Sequence, residues 1–313
     1  MIMPIDILQL CPLMPALEAD LAGHYTVHRW FETTDQPGFL KSHADKIRGV
    51  VTGGHIGIPT ELAAQLPKLE IVSINGVGYD KIDLNAARQR GYRVANTPDV
   101  LTADVADLAL GLIINLARQL VLADNHVRAG NWPKGELGLG HRVTGRRYGI
   151  FGLGRIGQAI AKRLVAFDGQ ISYSGRRKLD VPYTFYPTLA ELAANCDVLI
   201  IAAAASAETR HVVNADVLKA LGPKGSLINI ARGSLVDETA LVAALQHGTI
   251  AGAGLDVFAD EPRVPEALFG MKNVVLSPHV ASATHETRRA MADLVLANLE
   301  AQFAGKPLPA AVV

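Results

Sequence analysis

A short apolar run, Tyr148-Gly149-Ile150-Phe151, leads directly into Gly152-Leu153-Gly154-Arg155-Ile156-Gly157, and a helical pattern follows from Gln158 to Leu164. Strand, glycine turn and helix in that order are what a dinucleotide-binding βαβ unit requires. Gly152 permits the tight turn, Gly154 lets the backbone approach a pyrophosphate, and Gly157 lets helix and sheet pack closely. Leu153, Arg155 and Ile156 complete the cofactor-binding turn. The helix N-terminus that follows offers N–H groups and partial positive charge to phosphates. Glycine punctuates many loops, so it is the strand before this turn and the helix after it that make it a cofactor turn in a parallel α/β sheet.

The rest of the sequence repeats that rhythm on both sides. Ile5–Leu8, Tyr25–His28, Gly49–Thr52 and Ile71–Ile74 are short β-rich runs with helical patterns such as Ala16–Leu21 and Thr60–Gln65 between them. After the glycine turn come Ile171–Ser174, Val198–Ile201, Ser226–Ile230, Gly252–Leu255 and Val274–Leu276, again mostly separated by helical segments. Alternation of this kind predicts two Rossmann-like or flavodoxin-like parallel-sheet domains, with a cleft between them. Residues 97–121 break the rhythm with a long helix apolar on several faces, read as an inter-domain connector and part of a dimer interface. The last helical stretch, 284–304, is left over once the second sheet is complete and is expected to return to the first domain. The expected domains are therefore 1–97 plus 285–313 for substrate, and 98–284 for the dinucleotide.

A length of 313 residues accommodates two such domains, and 30 basic against 30 acidic residues give no net charge to attract nucleic acid or a membrane surface. The two cysteines, Cys11 and Cys196, lack metal-ligand spacing and read as buried thiols, so no metal site is expected. The first residues lack the basic start of a signal peptide, and no apolar run reaches the roughly 20 residues of a membrane span. A cytoplasmic location is expected.

In NAD-binding versions of the glycine unit, an acidic residue about twenty positions further on takes the adenosine ribose hydroxyls. Here that place falls at Ser174 or Gly175, followed at once by Arg176, Arg177 and Lys178. A missing carboxylate and two added guanidinium groups suit a 2′-phosphate, so NADP(H) is expected over NAD(H).

Three ionisable residues stand just beyond apolar strands: Arg232, Glu261 and His279. Ligands in open α/β sheets bind outside the carboxyl ends of strands, so the three are placed where a nicotinamide would lie. A histidine can deliver the proton a ketone oxygen needs as hydride reaches carbon, and a carboxylate beside it favours the protonated ring. An arginine can clamp a substrate carboxylate through two parallel hydrogen bonds. By the same rule the turns Thr52-Gly53-Gly54-His55 and Asn75-Gly76-Val77-Gly78 are candidate substrate-binding turns.

These motifs together resemble the D-isomer-specific 2-hydroxyacid dehydrogenases over nearly the whole chain. The likeness rests on Asn75-Gly76-Val77-Gly78-Tyr79-Asp80, Gly152–Gly157, Asn229-Ile230-Ala231-Arg232-Gly233, Gly254–Phe258 with Glu261-Pro262, and Ser277-Pro278-His279 to Thr284. The resemblance implies that Arg232 binds substrate, that His279 is the acid and base, and that Glu261 is its partner. It also implies that Val77 and Gly78 hold the substrate carboxylate through backbone N–H groups; Gly54 is a substrate-binding candidate by its strand-end turn alone. Asp256 and the Ala231 carbonyl would hold the nicotinamide carboxamide. A homodimer built around 97–130 is implied, with Trp132 reaching toward the partner. Within the family the chain looks most like the glyoxylate/hydroxypyruvate reductases, partly for its Ser174-Gly175-Arg176-Arg177 turn. Ala202-Ala203-Ala204 departs from the His-Cys-Pro type of segment common in relatives and leaves a smaller wall there.

The activity expected is NADPH-dependent reduction of small 2-oxo acids to D-2-hydroxy acids. Two alternatives stand beside it. One is a reductase of larger acids such as 2-ketogluconate; the other is a nucleotide-sensing binding protein of the same fold.

Overall fold

The computed structural model describes residues 5–313, so the part of the N-terminal reading that falls on Met1–Pro4 lies outside the described residues. In chain order the elements are β1 (Asp6–Gln9), α1 (Pro15–His24), β2 (Thr26–Arg29), α2 (Gln36–His43), β3 (Ile47–Gly53), α3 (Thr60–Ala64), β4 (Ile71–Asn75), α4 (Leu84–Arg90) and β5 (Arg93–Ala95). Then follow α5 (Thr102–Arg118), α6 (Leu120–Arg128), β6 (Arg147–Phe151), α7 (Arg155–Val165), β7 (Gln170–Ser174), β8 (Thr184–Phe185), α8 (Leu189–Ala194) and β9 (Val198–Ile201). The chain continues with α9 (Ala215–Leu221), β10 (Ser226–Asn229), α10 (Glu238–Gln246), β11 (Gly252–Leu255), β12 (Val274–Leu276) and α11 (His285–Phe303). They form two compact units. One runs up to Leu101 and resumes at Ala283; the other is Thr102–Ser282.

The smaller unit holds a five-stranded sheet in the order β2-β1-β3-β4-β5, every neighbouring pair parallel. That is the flavodoxin-like order, with its reversal between β1 and β3. One face is closed by a cluster of Ile7, Leu17, Leu21, Val51 and Ile71 with Ala292, Val295 and Leu299 of α11. Each fully buried aliphatic side chain contributes about 1.5–3 kcal/mol relative to exposure, so α11 belongs to this core. Ser73 Oγ donates to the Val295 carbonyl from the same face, at 3.4 Å.

The larger unit has seven parallel strands in the order β12-β11-β10-β9-β6-β7-β8, a Rossmann sheet whose reversal lies between β6 and β9. Its helices are fastened by ordinary caps. Thr188 and Glu191 form a capping box on α8, Asn214 caps α9, and Asp237 caps α10.

The long apolar pattern after residue 101 is two helices. Gln119 turns left-handed at φ 55°, and α6 leaves α5 at 60°. The His141 N–H takes the Ala117 carbonyl at 2.7 Å, and Asn115 Oδ1 accepts from the Val121 N–H at 3.1 Å. Each side of the break thus has one of its end groups satisfied from outside its own helix. No single described helix is long and apolar enough to cross a membrane.

Candidate active site

The turn after β6 shows why three glycines stand there. Gly152 has φ +96°, and a Cβ on it would lie 2.5 Å from the Ala203 backbone. A Cβ on Gly157 would lie 2.2 Å from the Gly152 carbonyl oxygen, so helix and turn touch through backbone alone. Gly154 differs: a Cβ there meets nothing within 4 Å. The open space lies at the start of the eleven-residue α7, whose N-cap provides no side-chain hydrogen bond. An anionic group close to the backbone fits such a place. The Gly152 N–H donates to the Ser174 carbonyl at 2.9 Å, joining the turn to the end of β7. Ser174 itself is buried, while Arg176 and Arg177 stand exposed just beyond it.

At the ends of β10, β11 and β12 the three ionisable residues belong to one network. His279 Nδ1 lies 2.6 Å from Glu261 Oε2. Burial would raise the Glu261 carboxyl, but the His279 hydrogen bond, the Phe258 N–H and the positive charge of Arg232 outweigh it and hold it below the usual carboxylate range. An ionised carboxylate only accepts, so His279 Nδ1 carries a proton and Nε2 is the nitrogen that can exchange one. The backbone at His279 is left-handed, φ 53°, a conformation that must be held by its surroundings.

Asp256 does the holding. It is fully buried; Oδ1 accepts from Ser277 Oγ at 2.6 Å and the Val280 N–H at 3.0 Å, and Oδ2 from the Ala281 N–H at 3.0 Å. The His279 N–H donates to the Asp256 carbonyl at 2.8 Å. The expected contact of Asp256 with a nicotinamide would therefore be additional to this clasp.

Arg232 is oriented by similar means. Asn229, almost fully buried, donates to the Arg232 carbonyl at 3.0 Å and accepts from the Ala231 N–H at 3.1 Å. Arg232 Nη1 donates to the Ala231 carbonyl at 2.8 Å. Gly233 is needed for close approach, because a Cβ there would lie 1.9 Å from the Phe258 carbonyl carbon. The arginine turn thus packs directly on the loop that carries Glu261. Glu238 supports that loop from behind, accepting the Ala259 N–H at 2.8 Å. Burial, with Asp260 and Glu261 nearby, pushes the Glu238 carboxyl up.

In the smaller unit, Val77 and Gly78 lie in the partly exposed turn after β4. Gly54 abuts that turn: a Cβ on Gly76 would be 3.4 Å from the Gly54 nitrogen. Trp132 is 65% exposed, and Leu120, Val121, Val127 and Leu139 on and after α6 are exposed as well. No cluster of three metal-ligating side chains occurs among the described residues.

The sequence motifs include Asn229 and Ser277 without giving them a task, and Glu238 reads there only as the start of a helix. Their signal was weak. A neutral or acidic residue at a strand end reads as an ordinary cap until the carbonyls and N–H groups it meets are known.

Residues 110–281 match the model of the D-isomer specific 2-hydroxyacid dehydrogenase NAD binding domain. The chain is 51% identical over 310 residues to hydroxyphenylpyruvate reductase of Plectranthus scutellarioides, covering 99% of both chains. Against glyoxylate/hydroxypyruvate reductase A of Arabidopsis thaliana the identity, length and coverage are the same, 51%, 310 residues and 99% of each. A crystal structure of the NADPH-dependent glyoxylate/hydroxypyruvate reductase of Sinorhizobium meliloti, in complex with NADP and malonate, superposes with a TM-score of 0.91. It is 45% identical, over 98% of this chain and 96% of that one. The chain belongs to the D-isomer specific 2-hydroxyacid dehydrogenase family.

Proposed function

We propose that this protein reduces small 2-oxo acids, glyoxylate and hydroxypyruvate first among them, to D-2-hydroxy acids at the expense of NADPH. The observation that carries the reading is the 2.6 Å pairing of His279 with Glu261, beside Arg232, at the strand ends of a dinucleotide sheet. NADPH, when bound, supplies the hydride. Gly152, Gly154, Gly157 and the α7 N-terminus would receive its pyrophosphate, with Leu153, Arg155 and Ile156 in the same turn. Arg176 and Arg177 would take the 2′-phosphate beside Ser174, and Asp256 with the Ala231 carbonyl would receive the carboxamide.

His279 gives its Nε2 proton to the substrate oxygen as that oxygen becomes an alkoxide. Glu261 keeps the imidazole in the tautomer and orientation the transfer needs. Arg232 pairs with the substrate carboxylate and polarises the adjacent carbonyl. In the smaller unit, Val77 and Gly78, next to Gly54, would offer their N–H groups to a substrate carboxylate. In the oxidative direction neutral His279 acts as base.

The apolar side chains exposed on and after α6 support a homodimer formed through that surface, Trp132 included. Burial, with the Asp197 charge nearby, pushes the Cys196 thiol up to about 12, and Cys11 is also buried and free. Both fit the reducing cytoplasm.

A second reading, for larger acids, is favoured by the equal identity to a relative named for hydroxyphenylpyruvate. The experiment is loss of NADPH or NADH absorbance with glyoxylate, hydroxypyruvate, hydroxyphenylpyruvate, pyruvate and 2-ketogluconate. Turnover of the two small polar acids with NADPH is expected, and Arg176→Ala with Arg177→Ala should raise the NADPH Kd roughly tenfold or more while leaving that of NADH unchanged. Preference for a bulky acid would favour the second reading. Cofactor binding without turnover of any acid would favour a sensor.

A further inference from the structure

Two consecutive carbonyls in the turn after β4 are tied to one short segment. The Thr97 N–H donates to the Gly76 carbonyl at 2.9 Å, and Asn96 Nδ2 donates to the Val77 carbonyl at 2.8 Å. Both peptide units are trans, and in a trans peptide the N–H points opposite to the C=O. The Gly76 carbonyl shares its peptide with the Val77 N–H, and the Val77 carbonyl shares its peptide with the Gly78 N–H. Fixing both carbonyls toward residues 96 and 97 therefore turns both N–H groups to the other side of the turn. Neither N–H donates to an acceptor of its own unit among the described residues. Two successive N–H groups aimed the same way make an anion-binding concavity.

The amide of Asn96 can face the turn in only one way, because a carbonyl only accepts and the nitrogen must lie against it. The residue is 7% exposed, and its backbone is held from both sides. Its N–H donates to the Ala310 carbonyl at 3.2 Å, and its carbonyl accepts from Asn298 Nδ2 at 3.3 Å. Asn298, fully buried in α11, in turn accepts the Ala310 N–H at 3.1 Å. A relay of two neutral amides thus runs from the C-terminal segment to the Val77–Gly78 peptide.

We propose that Asn96 is a positioning residue for the substrate carboxylate: its side chain locks the Val77–Gly78 peptide so that the Gly78 N–H joins the Val77 N–H as a paired donor. This rests on the reading that the two N–H groups receive the carboxylate. Without the Asn96 donor the peptide is free to rotate, and one of the two donors is lost. A single hydrogen bond to a charged group is worth roughly a tenfold change in affinity or somewhat more.

The test uses the full-length protein with oxalate, a non-reducible dianion that presents a carboxylate beside a second carbonyl. In Asn96→Ala, the oxalate inhibition constant and the KM for glyoxylate should rise together by about tenfold. kcat should change less than about threefold, and the NADPH Kd should not move. Asn96→Asp keeps the shape and serves if the alanine variant does not fold. Its ionised side chain cannot donate, but the protonated one can, so its oxalate affinity should recover as pH falls from about 8 to about 5.5 relative to wild type. Protonation also removes a negative charge beside the anion, so the readout that a merely structural role would not produce is the split in the alanine variant, with oxalate inhibition and KM weakened together while kcat and the NADPH Kd hold.

Amide NMR of the wild-type protein separates the two levels. Shifts of the Val77 and Gly78 resonances on adding oxalate are expected, and their absence would overturn the reading beneath the proposal. Shifts in the wild type, with oxalate affinity unchanged in a folded Asn96 variant, would overturn the proposal alone.

Discussion

The two units orient functional groups by different means. In the larger unit the loops after β11 and β12 are held by carboxylates, while the Arg232 turn after β10 is held by the neutral Asn229: Asp256 clasps the His279 segment, Glu261 pairs with the ring, and Glu238 takes a loop N–H. In the smaller unit the turn after β4 is held by neutral amides, Asn96 and Asn298. A site that moves a proton gains from an acceptor-only carboxylate beside the ring, since it fixes which imidazole nitrogen carries the proton. A turn that receives an anion through N–H groups gains from a neutral scaffold, because a carboxylate there would repel its ligand. The lesson is that the chemistry of a support follows from the charge of what it supports.

The strongest way to break this comparison is to exchange one support for the other. Asp256 accepts three hydrogen bonds with two oxygens, and an asparagine offers one oxygen. In Asp256→Asn an NH2 group would face either the Ala281 N–H or the Ser277 and Val280 donors. We expect a loss of about 2–3 kcal/mol, read as a melting temperature lower by roughly 5–10 °C, together with slower turnover. An unchanged melting temperature would mean that amide and carboxylate supports are interchangeable here.

Glu238 sharpens the same comparison, with a smaller effect. It accepts a single loop N–H, which a glutamine oxygen can also take. Its carboxyl is raised by burial and by Asp260 and Glu261. A raised carboxyl favours the fold at pH below its unfolded value, and that contribution is lost as pH rises through the folded value. Glu238→Gln should therefore be as stable as the wild type or slightly more so at neutral pH, by no more than about 1 kcal/mol. That advantage should shrink on acidification, when the wild-type carboxyl is protonated too. Melting curves from about pH 4 to pH 8 check the sign. An advantage that grows toward acid would contradict the direction assigned to Glu238.

Much of this architecture was legible in the sequence for a simple reason. Short β-rich runs alternating with helical patterns recur often enough to specify parallel sheets, and the Gly152–Gly157 turn has a steric meaning that its structure repeats. Arg232, Glu261 and His279 stood out by type and by their place after strands. Their distances did not, because a 2.6 Å contact between residues 18 apart depends on two loops meeting. Asn96, Asn229 and Asn298 were hidden for the opposite reason. A neutral amide has no distinctive spacing, and its task depends on which carbonyl the fold brings beside it. The break at Gln119 was hidden too, since a left-handed glutamine leaves no compositional mark.

The central claim, that His279 transfers the proton while other residues bind the cofactor, is tested most directly by His279→Ala. NADPH affinity and turnover of glyoxylate at saturating NADPH should be measured on the same preparation. Turnover lower by about 10²–10⁴ with the NADPH Kd unchanged is the result expected of a lost general acid. Turnover that survives while NADPH affinity collapses would contradict the account.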